Sequence, residues 1–490
     1  MRCQFSGKVW IFIVTLLISI HMSNQINDRS RDYEMLRSKH PVFTFESYGL
    51  KIEGNRLHLK FHFSIGEDHH FYPATNFPLD FFPSGLTLPM QLIDELAFHI
   101  GMAESISYWK TACPRCFIIK DRQLSQEQMM WWKKLFLHGL GEFFYLNGLE
   151  PQGSDLVEFF SDTNVAIQRY TVEKTDQFLV PVGGGKDSTV SLEMLRKAGY
   201  KITPLILNPR EASMESCYKS GYRDDDIFRI FRSLDPHLLE LNELGYLNGH
   251  TPFSALLAFN GLLAAILSGT GHIALSNESS ANEATIVGSG INHQYSKSYE
   301  FEKDFREYVN SHLLEGVEYF SLLRPLNEIQ IAMLFSGLEH HFGSFRSCNT
   351  GSKTNSWCCA CPKCLFTYII LSPFVDPGTL QAIFGEDLYQ KEELSGTLDE
   401  LTGCSYSKPF ECIGTTEEVN AACILRMKKY QDSPLPLLLQ HYQKSEAYTK
   451  HCAADFSHLF TKLGEPHFVE PALLQLIKSE IHVRYAETNL

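Results

Sequence analysis

Residues 178–200 read FLVPVGGGKDSTVSLEMLRKAGY, and this stretch decides the fold. The run 178–182 is apolar and short, as expected of a buried strand. Three glycines follow, Gly183, Gly184 and Gly185, and then Lys186, Asp187 and Ser188. The stretch 188–198 has the apolar spacing of an amphipathic helix and stops at Gly199. Glycines between a strand and a helix let the backbone turn sharply and approach a ligand closely. The N–H groups of such a turn converge where the helix dipole favours an anion, and Lys186 adds a cation. The string lacks the spacing of a Walker loop and of the dinucleotide fingerprint GxGxxG.

Outward from this loop the pattern repeats. Strands are expected at 202–207 and 272–275, and an Ala- and Leu-rich helix at 252–267. Strand–helix–strand alternation implies a parallel sheet with helices on its faces. Upstream, alternation at 57–63 predicts a half-buried strand, and 92–102 and 126–144 predict helices. The expected organisation is a leader and linker at 1–40, an aromatic-rich α+β substrate-recognition region at 41–175, a nucleotide-binding α/β domain at 176–340, and a Cys-rich helical part at 341–490. The sequence has no internal repeats or low-complexity tract.

Composition sets limits on function. The chain has 490 residues, 44% hydrophobic and 20% charged, enough for roughly two to four packed domains. Fifty-seven acidic residues against 43 basic ones leave a net charge of −14, which argues against a nucleic-acid partner. Residues 9–20, VWIFIVTLLISI, are apolar but shorter than the ~20 residues that span a bilayer. They read as a signal, an anchor or an over-extended start. A use of ATP favours the cytoplasm.

Thirteen cysteines are too few for a disulfide scaffold. Five of them crowd between Cys348 and Cys364, and Cys348, Cys358, Cys361 and Cys364 form C-x9-C-x2-C-x2-C. Thiolates at this spacing suit tetrahedral Zn²⁺, with a redox or Fe–S role as the alternative. A second polar constellation leaves the strand at 272–275. It contains Glu278, His293, Tyr295 and Lys297: a carboxylate, an imidazole, a phenol and an amine. In open α/β sheets, ligands bind beyond the carboxyl ends of strands. These four residues are therefore the candidate acids and bases.

GGGKDS resembles the SGGxDS loop of the PP-loop ATP pyrophosphatases, with Gly183 in place of the first serine. That resemblance implies a loop holding the pyrophosphate of ATP, attack at the α-phosphate and Mg²⁺ at Asp187. It also implies that Lys186 and Asp187 face the nucleotide and not the core. Residues 321–326, SLLRPL, resemble the late proline-leucine element of those enzymes, with Arg324 as a phosphate or carboxylate clamp. Four-cysteine spacing of this kind is similar to that of the PP-loop enzymes that build 7-cyano-7-deazaguanine.

The ordered set PVGGGKDS, LDPHLLELNELGYLNGH, SNESSAN, NHQYSKSYEFE, YFSLLRPLNE, WCCACPKC and PFECIG resembles the MurL family over most of the chain. That resemblance implies conversion of UDP-MurNAc-L-Ala-L-Glu to its D-Glu form with ATP and Mg²⁺. AMP and diphosphate are released, in peptidoglycan precursor synthesis. Two other functions are compatible with the residues: a different PP-loop adenylating enzyme, amidating or thiolating a nucleoside, and a membrane-tethered ATP-binding module.

Overall fold

The computed structural model describes residues 27–151, 153–282, 292, 295–405, 409, 411, 413–431 and 433–488. The apolar run 9–20 and His293 lie outside the described residues. Among the described residues, no helix is long and apolar enough to cross a membrane.

Thirteen strands are used below: β1 Val42–Glu53, β2 Arg56–Ile65, β3 His69–Phe71, β4 Ala74–Pro78, β5 Cys116–Ile119, β6 Glu158–Ser161, β7 Tyr170–Thr171, β8 Phe178–Pro181, β9 Ile202–Leu207, β10 Phe228–Ser233, β11 His272–Leu275, β12 Leu314–Glu315 and β13 Glu318–Ser321. The helices that matter here are α1 Met90–Trp109, α2 Gln126–Gly139, α3 Lys186–Lys197, α4 Phe253–Ser268, α5 Tyr299–His312, α6 Glu328–Phe335, α7 Pro362–Leu371, α8 Thr416–Lys428 and α9 Pro471–Thr488. The helix expected over 126–144 is interrupted after Gly139. Leu140 leaves helical geometry at φ −99° and ψ 13°, and a second short helix, Gly141–Leu146, follows.

One large, mostly parallel sheet runs in the order β13-β11-β8-β9-β10-β4-β2-β1-β5-β6, with β3 paired to β2. The half from β13 to β10 is parallel throughout. Strand β10 then meets β4 antiparallel, at Phe231 opposite Asn76. The sheet therefore passes from the aromatic-rich N-terminal region into the glycine-loop region without a break. In the parallel half, chain order runs outward from β8 in both directions, and reverses between β8 and β11. Ligands in such sheets bind at this switch point, beyond the carboxyl ends of the strands.

Successive residues of the central strands face opposite sides of the sheet, which explains the two cores. Leu179, Leu205 and Ile273 face one core, with α1 and α4. Val180, Ile206 and Ala274 face the other, with α7, α8 and α9. Strands covered on both faces need apolar residues at every position, so 178–182 is a continuous apolar run. In contrast β2 alternates, burying Leu57, Leu59, Phe61 and Phe63 and leaving Arg56 and Lys60 exposed. The buried Phe rings of β1 and β2 pack under α1, with Phe45 stacked on Phe98 at 5.7 Å. Burying a side chain of this size contributes roughly 1.5–3 kcal/mol. Helix α1 is buried over most of its surface because it is sheathed by the sheet on one side and by α4 on the other.

Candidate functional site

Strand β8 ends at Pro181, and α3 starts at Lys186 with Gly185 as its N-cap in extended geometry. Gly184 has φ +86°, and a Cβ there would sit 2.6 Å from the backbone N of Ser213. Glycine is therefore required twice over, by conformation and by space. At Gly183 a Cβ would meet nothing within 4 Å, so the serine of the resembling loops has room here. At Gly185 a Cβ would approach Ser347 Oγ to 3.1 Å.

The loop opens on a cavity of about 380 Å³. Gly183, Gly185, Asp187 and Ser188 form its floor, and Ser276 and Asn277 approach from the end of β11. Four cations line it, Arg210, Lys297, Arg346 and Lys363. Leu205, Leu257 and Phe253 supply an apolar wall. Anionic groups seated on the loop would meet backbone N–H groups, a helix N-terminus and positive side chains together. Arg210, Arg346 and Lys363 lay outside the sequence reading, because isolated basic residues carry no local pattern. The nearest signal was Lys363, inside the quoted motif WCCACPKC, with Arg346 two residues before the first clustered cysteine.

Lys186 does not line this cavity, which corrects the expectation that it faces a nucleotide. Its side chain is 3% exposed and bonds to Asp187 and to Glu328, the first residue of α6. Burial opposes its charge, but the two carboxylates overcome this and hold the ammonium above the usual lysine range. Burial, with Asp187 and Glu278 nearby, opposes the charge of Glu328, and the contact with Lys186 favours it. Glu418, on α8, accepts from the backbone N–H of Glu328. Burial raises the Glu418 pKa. Glu328 closes the quoted motif YFSLLRPLNE but escaped the sequence reading, because nothing local marks an acid that pairs across 142 residues. Asp187 is one-third exposed and presents its carboxylate at the cavity edge, as one oxygen ligand of a hydrated Mg²⁺ would be.

The second constellation divides. Lys297 lies on the cavity wall. Glu278 is buried, accepts from Ser280 Oγ at 3.1 Å and neighbours Glu328 electrostatically. Tyr295 is buried beside His138, with its hydroxyl 3.5 Å from Asp304, and burial pushes its pKa above the usual tyrosine range. Arg324, expected as a clamp for a ligand, is 1% exposed and clamps the protein itself. It donates to Glu302 at 3.0 Å and to the carbonyls of Glu278 and Lys297. A planar fork of five donors suits this task, since one side chain can hold several segments together. It thereby fixes both strand-end segments relative to α5.

The four cysteine sulfurs converge, all within 4.8 Å of one another. They stand beside the cavity, with Cys348 on its wall. The fifth, Cys359, turns away at φ +53° and donates to the Phe384 carbonyl.

The family model of the MurL N-terminal domain matches residues 35–322, and that of the MurL C-terminal domain matches residues 344–455. A protein of Xanthomonas oryzae pv. oryzae (strain MAFF 311018), named UDP-N-acetyl-alpha-D-muramoyl-L-alanyl-L-glutamate epimerase, is 36% identical over 66% of this chain and 72% of its own length. Proteins of the same name from Micromonospora sp. (strain ATCC 39149 / NRRL 15099 / SCC 1413) and Salinispora tropica (strain ATCC BAA-916 / DSM 44818 / JCM 13857 / NBRC 105044 / CNB-440) are 33% and 32% identical. They align over 76% and 80% of this chain, and 83% and 87% of their own lengths. Both domain models match in order and three relatives align over most of their length: the chain belongs to the MurL family.

Proposed function

We propose that this protein is an ATP- and Mg²⁺-dependent epimerase that converts the terminal L-Glu of UDP-MurNAc-L-Ala-L-Glu to D-Glu in peptidoglycan synthesis. The observation that carries the reading is the glycine loop at the sheet's switch point, which lines one cavity together with four cations. The names of the relatives supply the substrate and the class of reaction, an isomerisation.

The chemistry explains why a phosphate loop belongs in an epimerase. A hydrogen on Cα next to a carboxylate is hard to remove, because the carbanion forms beside an anion. In the proposed reaction the glutamyl α-carboxylate oxygen bonds to the α-phosphorus of ATP, and diphosphate leaves. With that charge masked, a base takes the Cα proton and an acid returns one on the opposite face. Water then cleaves the mixed anhydride to AMP and the D-glutamyl carboxylate, which draws the cycle forward.

In this scheme the N–H groups of 183–188 and the helix end bind the polyphosphate. Asp187 holds Mg²⁺, and Ser188 adds a hydroxyl. Arg210, Arg346 and Lys363 offset the charge of two anionic substrates. Lys186 anchors the loop from beneath through Glu328. Lys297 is the proton-transfer group on the cavity wall, with His293 as its proposed partner. Tyr295, Glu278 and Arg324 hold the segment that carries Lys297. The deciding experiment incubates the protein with UDP-MurNAc-L-Ala-L-Glu and ATP·Mg²⁺, then measures AMP and the chirality of released glutamate. AMP with D-Glu is expected. Absence of D-Glu overturns the reading.

A further inference from the structure

We propose that Cys348, Cys358, Cys361 and Cys364 bind one Zn²⁺, and that this ion is a strut of the nucleotide cavity, so that metal and nucleotide each tighten the other's binding. The second half rests on the nucleotide reading given above.

The sulfur geometry is that of a single-ion shell. Cys348 and Cys361 sulfurs lie 3.9 Å apart, Cys358 and Cys364 3.7 Å, and Cys361 and Cys364 3.5 Å. A Zn–S bond of about 2.3 Å places the sulfurs of a regular tetrahedron about 3.8 Å apart. All four thiols are free, and no pair is at bonding distance. Sulfurs this close leave no room for the inorganic sulfides of a multi-iron cluster.

The surrounding backbone favours thiolates. Gly351 N–H donates to Cys348 Sγ at 3.1 Å. Cys361 is the N-cap of α7 and Cys364 lies in its first turn, at the positive end of the helix dipole. The left-handed turn at Cys359 is what lets neighbouring cysteines part company. Cys358 joins the site and Cys359 joins the core.

The same segment builds the cavity wall. Arg346 N–H donates to the Gly184 carbonyl at 2.8 Å. Arg346 Nε donates to the carbonyl of Asn355, inside the cysteine loop, at 3.1 Å. Ser347 sits against Gly185, and Arg346, Ser347, Asn349 and Lys363 all line the cavity. Between Cys348 and Cys358 the regular structure is a single 3-10 turn, Thr350–Lys353. Such a loop loses much conformational entropy on ordering, and a metal crosslink between its ends and α7 reduces that loss. Whatever holds Cys348 in place therefore holds Arg346 and Ser347 against the phosphate loop. By linkage the effect is reciprocal.

The test uses the purified full-length protein. Metal analysis should find one zinc per chain, and the Co²⁺-substituted protein should show the intense charge-transfer and visible bands of a tetrahedral tetrathiolate. Transfer of zinc to pyridylazoresorcinol is then timed with and without a non-hydrolysable ATP analogue and Mg²⁺. The analogue should slow transfer about 5- to 150-fold, the range of ordinary allosteric coupling. Calorimetry should show it binding metal-stripped protein more weakly by a similar factor. Cys361→Ser is a useful second probe where it folds, but the transfer rate needs no variant. Absence of tetrathiolate bands overturns the metal site. An analogue that binds without changing the transfer rate overturns the coupling. An analogue that fails to bind the zinc-loaded protein overturns the nucleotide reading itself, and the strut with it.

Discussion

Arg324 Nη2 lies 3.0 Å from Glu302 Oε2, and both side chains are almost completely buried. The same guanidinium holds the carbonyls of Glu278 and Lys297, while the other oxygen of Glu302 accepts from the backbone of Ser321. One ion pair thus ties the ends of β11 and β13 to α5. Removing one partner strands a buried charge. Arg324→Met should lower stability by about 3–5 kcal/mol in urea unfolding, and Arg324→Met/Glu302→Leu should recover part of the loss. A double variant destabilised by the sum of the two single losses would show that the pair is not coupled.

The loop glycines should respond in opposite ways. Gly184→Ala forces a Cβ onto Ser213 at a left-handed φ, and should cost about 1–3 kcal/mol along with nucleotide binding. Gly183→Ser enters open space and should leave the melting temperature unchanged or slightly raised. Thermal melts of the two variants check this, and a large destabilisation by Gly183→Ser contradicts it.

Lys186 and Asp187 are neighbours with different burial, so their variants should separate. Lys186→Met leaves Glu328 buried without its partner and should destabilise by about 3–5 kcal/mol. Asp187→Asn keeps an oxygen beside Lys186 and leaves Glu328 in place, so it should destabilise less than Lys186→Met while abolishing Mg²⁺-dependent diphosphate release. Denaturant unfolding and a diphosphate assay together decide the matter.

His99 should make stability fall in acid. It is buried, with its ring nitrogens against the Glu95 carbonyl at 2.7 Å and the Tyr308 hydroxyl at 2.9 Å. Burial pushes its pKa down to about 4. Between that value and the unfolded value of about 6.5, the unfolded chain binds the extra proton. The stabilisation is therefore intact above about pH 6.5 and lost as pH falls, by about 2 kcal/mol at pH 5. The variant His99→Gln should lose that much less than wild type between pH 7 and pH 5 in matched urea titrations. Parallel curves for the two proteins would show that His99 is not the cause.

Lys297 tests the division of labour in the proposed reaction. Lys297→Met should still release AMP, while D-Glu formation falls roughly 10²–10⁴-fold, the usual contribution of a general acid or base. In ²H₂O the wild type should place deuterium at Cα of the D-Glu product, read by mass spectrometry. Product without solvent deuterium contradicts proton return on the opposite face.

The parallel strands, the loop and the cysteine spacing were legible in the sequence because each is a local pattern. A doubly buried strand must be apolar at every position, a sharp turn at positive φ needs glycine, and the cysteine cluster lies within seventeen residues. The expected strands 202–207 and 272–275 coincide with β9 and β11, and 178–182 with β8 to within a residue. What only the tertiary structure decided is long-range pairing. The joining of the N-terminal strands to the parallel half through β10 and β4, the burial of Lys186 against Glu328 and the closure of Arg324 on Glu302 are such pairings. So is the approach of the cysteine segment to the glycine loop. Charge pairing and close contact depend on distance in space, and a sequence records distance only along the chain.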